Sequence, residues 1–217
     1  MMTEITSVRR PGGRPAAGTD PDKRRQILEG AGRVFSSVGF DAASMNDIAR
    51  EAGVSKPTLY VYFPNKEQLF ASICSERRDR SIAELAAMLD RERPVADVLL
   101  EFGRETLVRL SQPFVIGAHR IVIGVAERMP EVGREFFKAG PERLTAELAG
   151  YLAYHAEMGR LTIDDPTLAA VQFLELSQAT VFRATLYGAG PALCGLDIDR
   201  IVGSAVRVFM SAYASPR

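Results

Sequence analysis

Residues 44–63 read SMNDIAREAGVSKPTLYVYF, and the fold turns on how this stretch divides. Ser44 caps a helix, with Asp47 three residues on, a capping box that uses a shorter acid than the usual Glu or Gln. Met45, Ile48, Ala49 and Ala52 recur at helical spacing and face inward. Gly53-Val54-Ser55 makes a tight turn. Ser55 caps a second short helix, with Pro57 in its first turn, where a missing N–H is tolerated. Leu59 and Phe63 mark its inner side, and Pro64 stops it. Ser55, Lys56, Pro57, Thr58, Tyr60, Val61 and Tyr62 are left outside. A purely solvated face would use Glu, Lys and Gln. This one offers hydroxyls, one ammonium, rings and a β-branched methyl, groups suited to phosphates, base-edge acceptors and thymine methyls. Two short helices joined by a Gly-containing turn have the pattern of a helix-turn-helix. A helical hairpin with a somewhat apolar face is the other reading.

Working outward, Asp20-Pro21-Asp22 opens a preceding helix with a cap, Pro in the first turn and an early acid. Ile27, Leu28, Ala31, Val34, Phe35 and Val38 form its stripe, and Gly39 ends it. After Pro64, Asn65 caps a longer helix with Leu69, Phe70 and Ile73 inside. Ser44 and Lys66 both sit at helix N-termini, which favour an anion. Lys66 is an unfavourable cation there, and a phosphate beside it would resolve the conflict. Residues 1–20 read as a flexible basic arm. Its segment Arg9-Arg10-Pro11-Gly12-Gly13-Arg14-Pro15 resembles the Arg-Gly-Arg-Pro element that lies in A·T-rich minor grooves, which are narrow and strongly negative. A basic tail adding only non-specific affinity is the alternative.

Beyond residue 80 the punctuation stays helical. Val95, Val98, Leu99, Phe102, Thr106 and Leu110 make one stripe. Residues 114–129 are apolar nearly all round, which predicts a central buried helix. Leu144, Leu148, Tyr151, Leu152 and His155 make another stripe after an interruption at Gly140-Pro141. One helix is expected from Asp164-Asp165-Pro166 to Gly188, and Ile198 to Tyr213 carries a last stripe. No alternating strand pattern bounded by hairpin signals is present. The expectation is an all-α fold of about nine helices: arm 1–20, helix-turn-helix domain 21–68, and a ligand-binding and dimerisation domain 69–217.

Composition narrows the function. The 217 residues are 47% hydrophobic and 25% charged, with no net charge. Residues 1–80 hold 13 Lys+Arg against 10 Asp+Glu, and residues 81–217 hold 14 against 17, so the first third is the better partner for a polyanion. No apolar run suggests a membrane span or a secretory signal, and the expected setting is the cytoplasm. Two cysteines, Cys74 and Cys194, and two histidines, His119 and His155, leave little for a metal centre. Gly30-Ala31-Gly32 is a lone GxG inside a helix, and GxSxG, HExxH and CxxC do not occur, so no enzyme and no cofactor are expected.

Between 166 and 187 only Glu175 and Arg183 are charged, so this helix must bury two faces, one of them against a partner. With 197–213 it predicts a homodimer that sets two reading helices about one DNA turn apart on a palindromic operator. The expected lining of a pocket for a small, largely apolar effector is Phe102, Phe114, His119, Ile123, Glu127, Phe137, Tyr151, His155, Phe173 and Phe182, with Phe136 and Tyr154 beside them. Polar groups on so apolar a helix, such as His119, Arg120 and Glu127, should satisfy one another or face a cavity.

The stretch from Arg25 to Leu69 resembles the DNA-binding domain of TetR-family transcriptional regulators. The matching residues include Ile27-Leu28, Ala31, Phe35, Gly39-Phe40, Ser44-Met45, Asp47-Ile48-Ala49, Ala52-Gly53-Val54-Ser55, Thr58-Leu59-Tyr60, Tyr62-Phe63 and Asn65-Lys66-Glu67. HRIVIGVAERMPEVGREFFKAGPERL at 119–144 and GRLTIDDPTLAAVQFL at 159–174 resemble the AefR-like C-terminal domain of the same family. The resemblance implies that the second short helix enters the major groove. Asn46, Lys56, Pro57, Thr58 and Tyr60 would reach bases or nearby phosphates, and Ser44, Tyr62 and Lys66 would meet phosphates. It also implies a four-helix dimer interface and repression released by a small molecule. A helical protein–protein module without DNA binding is the alternative.

Overall fold

The computed structural model describes residues 18–190 and 197–215, so Arg9, Arg10, Arg14 and Cys194 lie outside the described residues. Eleven α-helices occur among them: α1 (Pro21–Ala42), α2 (Met45–Glu51), α3 (Lys56–Tyr62), α4 (Lys66–Ala86), α5 (Val95–Leu110), α6 (Pro113–Ala126), α7 (Pro130–Phe137), α8 (Arg143–Glu157), α9 (Pro166–Ser177), α10 (Phe182–Leu186) and α11 (Ile198–Tyr213). A π-helical turn at Lys138–Glu142, around Pro141, joins α7 to α8. No strand forms among the described residues; Leu161 and Ala214 make an isolated antiparallel bridge. The all-α expectation therefore holds. The chain divides into two compact units, Met1–Ile73 and Cys74–Arg217.

The first unit is built by local signals. Asp20 caps α1, its carboxylate accepting from the amides of Asp22 and Lys23. The stripe Ile27, Leu28, Ala31, Val34 and Phe35 is buried. At Gly39 the backbone leaves the helix with φ 81° and ψ 171°, a conformation that suits a residue without Cβ, and one further turn follows to Ala42. Phe35, Phe40 and Phe70 then close a ring cluster with centroids 5.0–5.7 Å apart.

In the second unit α5, α8, α9 and α11 surround one core, with Phe102, Leu148, Leu152, Phe173, Val202 and Phe209 at its centre. Two expectations are corrected here. Residues 114–129 do not form a central buried helix: α6 buries only Ile116 and Ala118, and Ile123 is 64% exposed. The helix packs chiefly on α7, so an apolar circumference is matched by one covered face. Nor is 166–187 one helix. It breaks after Ser177, where Thr180 adopts φ 70°, and resumes as α10. A β-branched residue in that region is rare, and no Gly or Asn at this position signals the break.

Gly30 lies where α1 meets α2. A Cβ there would stand 2.7 Å from Ala52 Cα and 2.8 Å from its nitrogen, and backbone cannot yield cheaply. Gly→Ala inside a helix ordinarily gains about 1 kcal/mol. Gly30→Ala is expected instead to lose about 1–3 kcal/mol by overpacking. Urea unfolding checks the sign.

Candidate nucleic-acid interface

The arrangement of α2 and α3 follows from their caps. Ser44 Oγ accepts from the Asp47 amide at 3.2 Å and donates to Asp47 Oδ2 at 2.5 Å. That bond, with Arg50 at 2.6 Å, holds the Asp47 carboxyl below its usual range. Ser55 Oγ accepts from the Thr58 amide at 3.2 Å and lies 2.7 Å from Thr58 Oγ1. One of those two hydroxyls donates to the other, leaving one O–H to point outward.

Leu59 and Phe63 are buried and fasten α3 inward. The opposite side is open. Ser55, Lys56 and Pro57 are exposed, Tyr60 is 49% and Val61 54% exposed, and Thr58 and Tyr62 are half-buried. Asn46 is exposed on α2.

The cations of this unit have settled partners, with one exception among the described residues. Arg25 pairs with Asp22, Arg33 with Glu51 and Arg50 with Asp47. Lys23 donates to Gln26 Oε1, and Arg24 lies over the Phe63 ring. Lys66 was expected to need an anion, and this is corrected. Its ammonium donates to the carbonyls of Phe40 (2.7 Å), Asp41 (3.2 Å) and Ala43 (3.1 Å) and sits 4.5 Å from the Phe40 ring centroid. All three N–H groups are engaged in tying the start of α4 to the end of α1. Lys56 alone has no partner, and it stands on the exposed face of α3.

The ten expected effector-lining residues scatter. Phe102, Tyr151, His155 and Phe173 are in the core of the second unit, while Ile123, Glu127 and Phe137 (60% exposed) are on its surface. His119 stands edge-on to Phe136 (4.9 Å) and Phe182 (5.1 Å), with Nδ1 2.9 Å from the Val115 carbonyl. Phe114 lies under the Arg77 guanidinium. His119, Arg120 and Glu127 do not satisfy one another. Arg120 instead donates to the carbonyls of Thr185 and Leu186 at the end of α10. Phe182 borders a cleft of about 520 Å³ with Gln172, Leu176, Thr180 and Arg183, residues that the sequence reading missed because they converge only where α9 breaks.

Comparison with known proteins gives matches along most of the chain. Residues 27–73 match the family model of bacterial regulatory proteins, tetR family, and residues 97–215 match the AefR-like transcriptional repressor C-terminal domain. The HTH-type transcriptional regulator EthR of Mycolicibacterium smegmatis is 40% identical over 216 residues, 97% of this chain and 95% of that one. A TetR-family transcriptional regulator from Mesorhizobium loti MAFF303099 superposes with a TM-score of 0.81 at 26% identity, covering 89% of this chain and 97% of that one. The flavonoid-responsive regulator FrrA gives 0.62 at 31% identity, covering 91% and 100%.

Three outcomes follow from this geometry. Lys66→Met keeps the aliphatic stem but orphans three carbonyls, so it should lower thermal stability, by roughly 1–3 kcal/mol. Tyr60→Ala should leave stability unchanged. Burial, then the charges of Arg160 and Arg91, holds the pKa of His155 below the ordinary 6.5. Below that pH the unfolded chain takes up a proton that the folded chain resists, so stability falls. The loss of urea midpoint between pH 7.5 and 5.5 should be larger for the unaltered chain than for His155→Gln.

Proposed function

The chain belongs to the TetR family of bacterial regulatory proteins, helix-turn-helix transcriptional regulators that respond to ligands and are not enzymes, and from this premise we propose how it reads DNA and is released. The protein is a repressor that binds a palindromic operator as a homodimer. Each α3 lies in a major groove, with Lys56, Thr58 and Tyr60 reaching base edges and nearby phosphates, and Ser55, Pro57 and Asn46 at the rim of the contact. The observation that carries this reading is the uncommitted Lys56 ammonium beside exposed Tyr60 and Val61, in a unit whose other described cations have partners. Ser44 and Lys66 act mainly as supports, because their polar atoms already serve the caps of this unit.

Dimerisation proceeds through residues 166–187 and 197–213, where Leu168, Val171 and Val208 are exposed. The effector is a small aromatic or largely apolar molecule with one polar anchor, and its binding lowers operator affinity and frees the promoter. Support comes from the aromatic side chains around His119, and from FrrA, whose name describes a response to flavonoids.

Selection of binding sites from random DNA tests the reading. The expected product is an inverted repeat with half-sites about one helical turn apart. Lys56→Ala, Thr58→Ala or Tyr60→Ala should each lower affinity for it by about 5- to 150-fold and relax the preference within each half-site. Unchanged preference in all three variants would exclude α3 as the reader.

A further inference from the structure

Arg160 joins three segments of the second unit. Its Nη1 donates to the Arg91 carbonyl at 3.0 Å and lies 3.3 Å from His155 Nδ1. Its own carbonyl accepts from the Ser215 amide at 3.4 Å, and the next residues, Leu161 and Thr162, bridge to Ala214 and Tyr213 at the end of α11. Arg91 in turn lays its guanidinium 4.5 Å from the Tyr154 ring centroid, and that ring stands edge-on to His155 at 5.2 Å. The turn after α4, the end of α8 and the end of α11 thus meet at one arginine. Arg160 itself is exposed, whereas His155 is fully buried.

The chemistry of these atoms fixes the state of the histidine. A guanidinium has no acceptor, so His155 Nδ1 accepts from Arg160, and the ring is neutral with its proton on Nε2. A second proton would turn Nδ1 from acceptor into donor. The bond from Arg160 would be lost, and two cations would face each other with nitrogens 3.3 Å apart. The groups around the ring offer little relief. Arg160 and Arg91 oppose the new charge, Glu92 favours it, and neither arginine has a carboxylate partner among the described residues. Asp90 and Arg93 act on Tyr151, the ring 4.5 Å away, and Arg93 is held by Glu101. The charged residue of α9, Glu175, pairs with Arg183, and Tyr213 of α11 gives its hydroxyl to Gln172. Nε2–H finds no acceptor among the described residues, so the ring gains nothing from a second donor.

We propose that His155, Arg160 and Arg91 form an acid-released clasp. A proton taken from solvent onto His155 Nδ1 drives Arg160 away, and segments 87–94 and 158–163 loosen while α5 and α9 stay folded. The proton is thereby a further input to this unit, independent of the assignment of α3 as the DNA reader.

Hydrogen exchange of the full chain at pH 7.5 and 5.5, corrected for the intrinsic effect of pH on amide exchange, tests it. The opened clasp binds a proton with the ordinary histidine pKa of about 6.5, and the closed one resists it, so protection in 87–94 and 158–163 should fall by up to about tenfold. At pH 5.5 both segments should exchange at least about tenfold faster than α5 and α9. His155→Gln keeps an acceptor for Arg160 and cannot titrate, so its protection should change less than about twofold. Arg160→Met, at an exposed position, should lower protection of 87–94 about fivefold at pH 7.5 already. Melting temperature verifies that both variants fold, and the unaltered chain and Arg160→Met decide even if His155→Gln does not. Protection that ignores pH, an equal response in His155→Gln, or an unaltered 87–94 segment in Arg160→Met would overturn the proposal. So would equal exchange in the two segments and in α5 and α9 at pH 5.5, because the proton would then enter only when the whole unit unfolds.

Discussion

A helix of seven residues has no stability of its own in water. α3 exists because Leu59 and Phe63 are buried beneath it, which together contribute roughly 3–6 kcal/mol, and because Ser55 and Pro57 settle its first turn. Fastening so short a helix by two side chains commits one face and leaves the rest to be chosen for another purpose. The floor below it is braced in turn. The Phe35, Phe40 and Phe70 rings join α1 to α4, and Lys66 ties the carbonyls at the end of α1 to the start of α4. The packing that stabilises this small unit thus lies on one side of α3, and the opposite side stays exposed.

This division explains which parts were legible in the sequence. The caps at Asp20, Ser44, Ser55 and Asn65 each act within three residues, so spacing alone reveals them. The carbonyl partners of Lys66 are hidden for the complementary reason. Its partners are more than twenty residues away, and nothing local shows that the end of α1 would present three carbonyls to it. A cation at a helix N-terminus signals a missing negative group; here the negative groups are the carbonyl dipoles of another helix.

The second unit was less legible because apolar composition says that a face must be covered without saying what covers it. α6 is apolar all round yet keeps Ile123 exposed, whereas the similarly apolar α9 buries Ala169, Ala170, Phe173 and Leu174. The two histidines separate in the same way. His119 sits between Phe136 and Phe182 at the edge of α6. His155 is fully buried, with Arg160 Nη1 3.3 Å from Nδ1, while the neighbouring Tyr151 Oη finds no hydrogen-bond partner among the described residues. Only tertiary packing distinguishes the half-buried His119 from the fully buried His155.

Charge pairing in the first unit bears on how affinity and specificity are shared. Long-range attraction to DNA grows with the number of phosphates a protein neutralises, and each such contact steepens the salt dependence. Arg25, Arg33 and Arg50 are already neutralised by Asp22, Glu51 and Asp47 at 2.5–2.6 Å, so their fields are largely cancelled at the distance of a duplex. The ammonium groups of Lys23, Lys56 and Lys66 are not paired with carboxylates in this way, and of these three only Lys56 stands on α3. What remains on α3 is directional: hydroxyls, a phenol and a β-branched methyl, which discriminate between base pairs while adding little charge. A surface built this way is suited to rejecting wrong sequences more than to attracting DNA by charge.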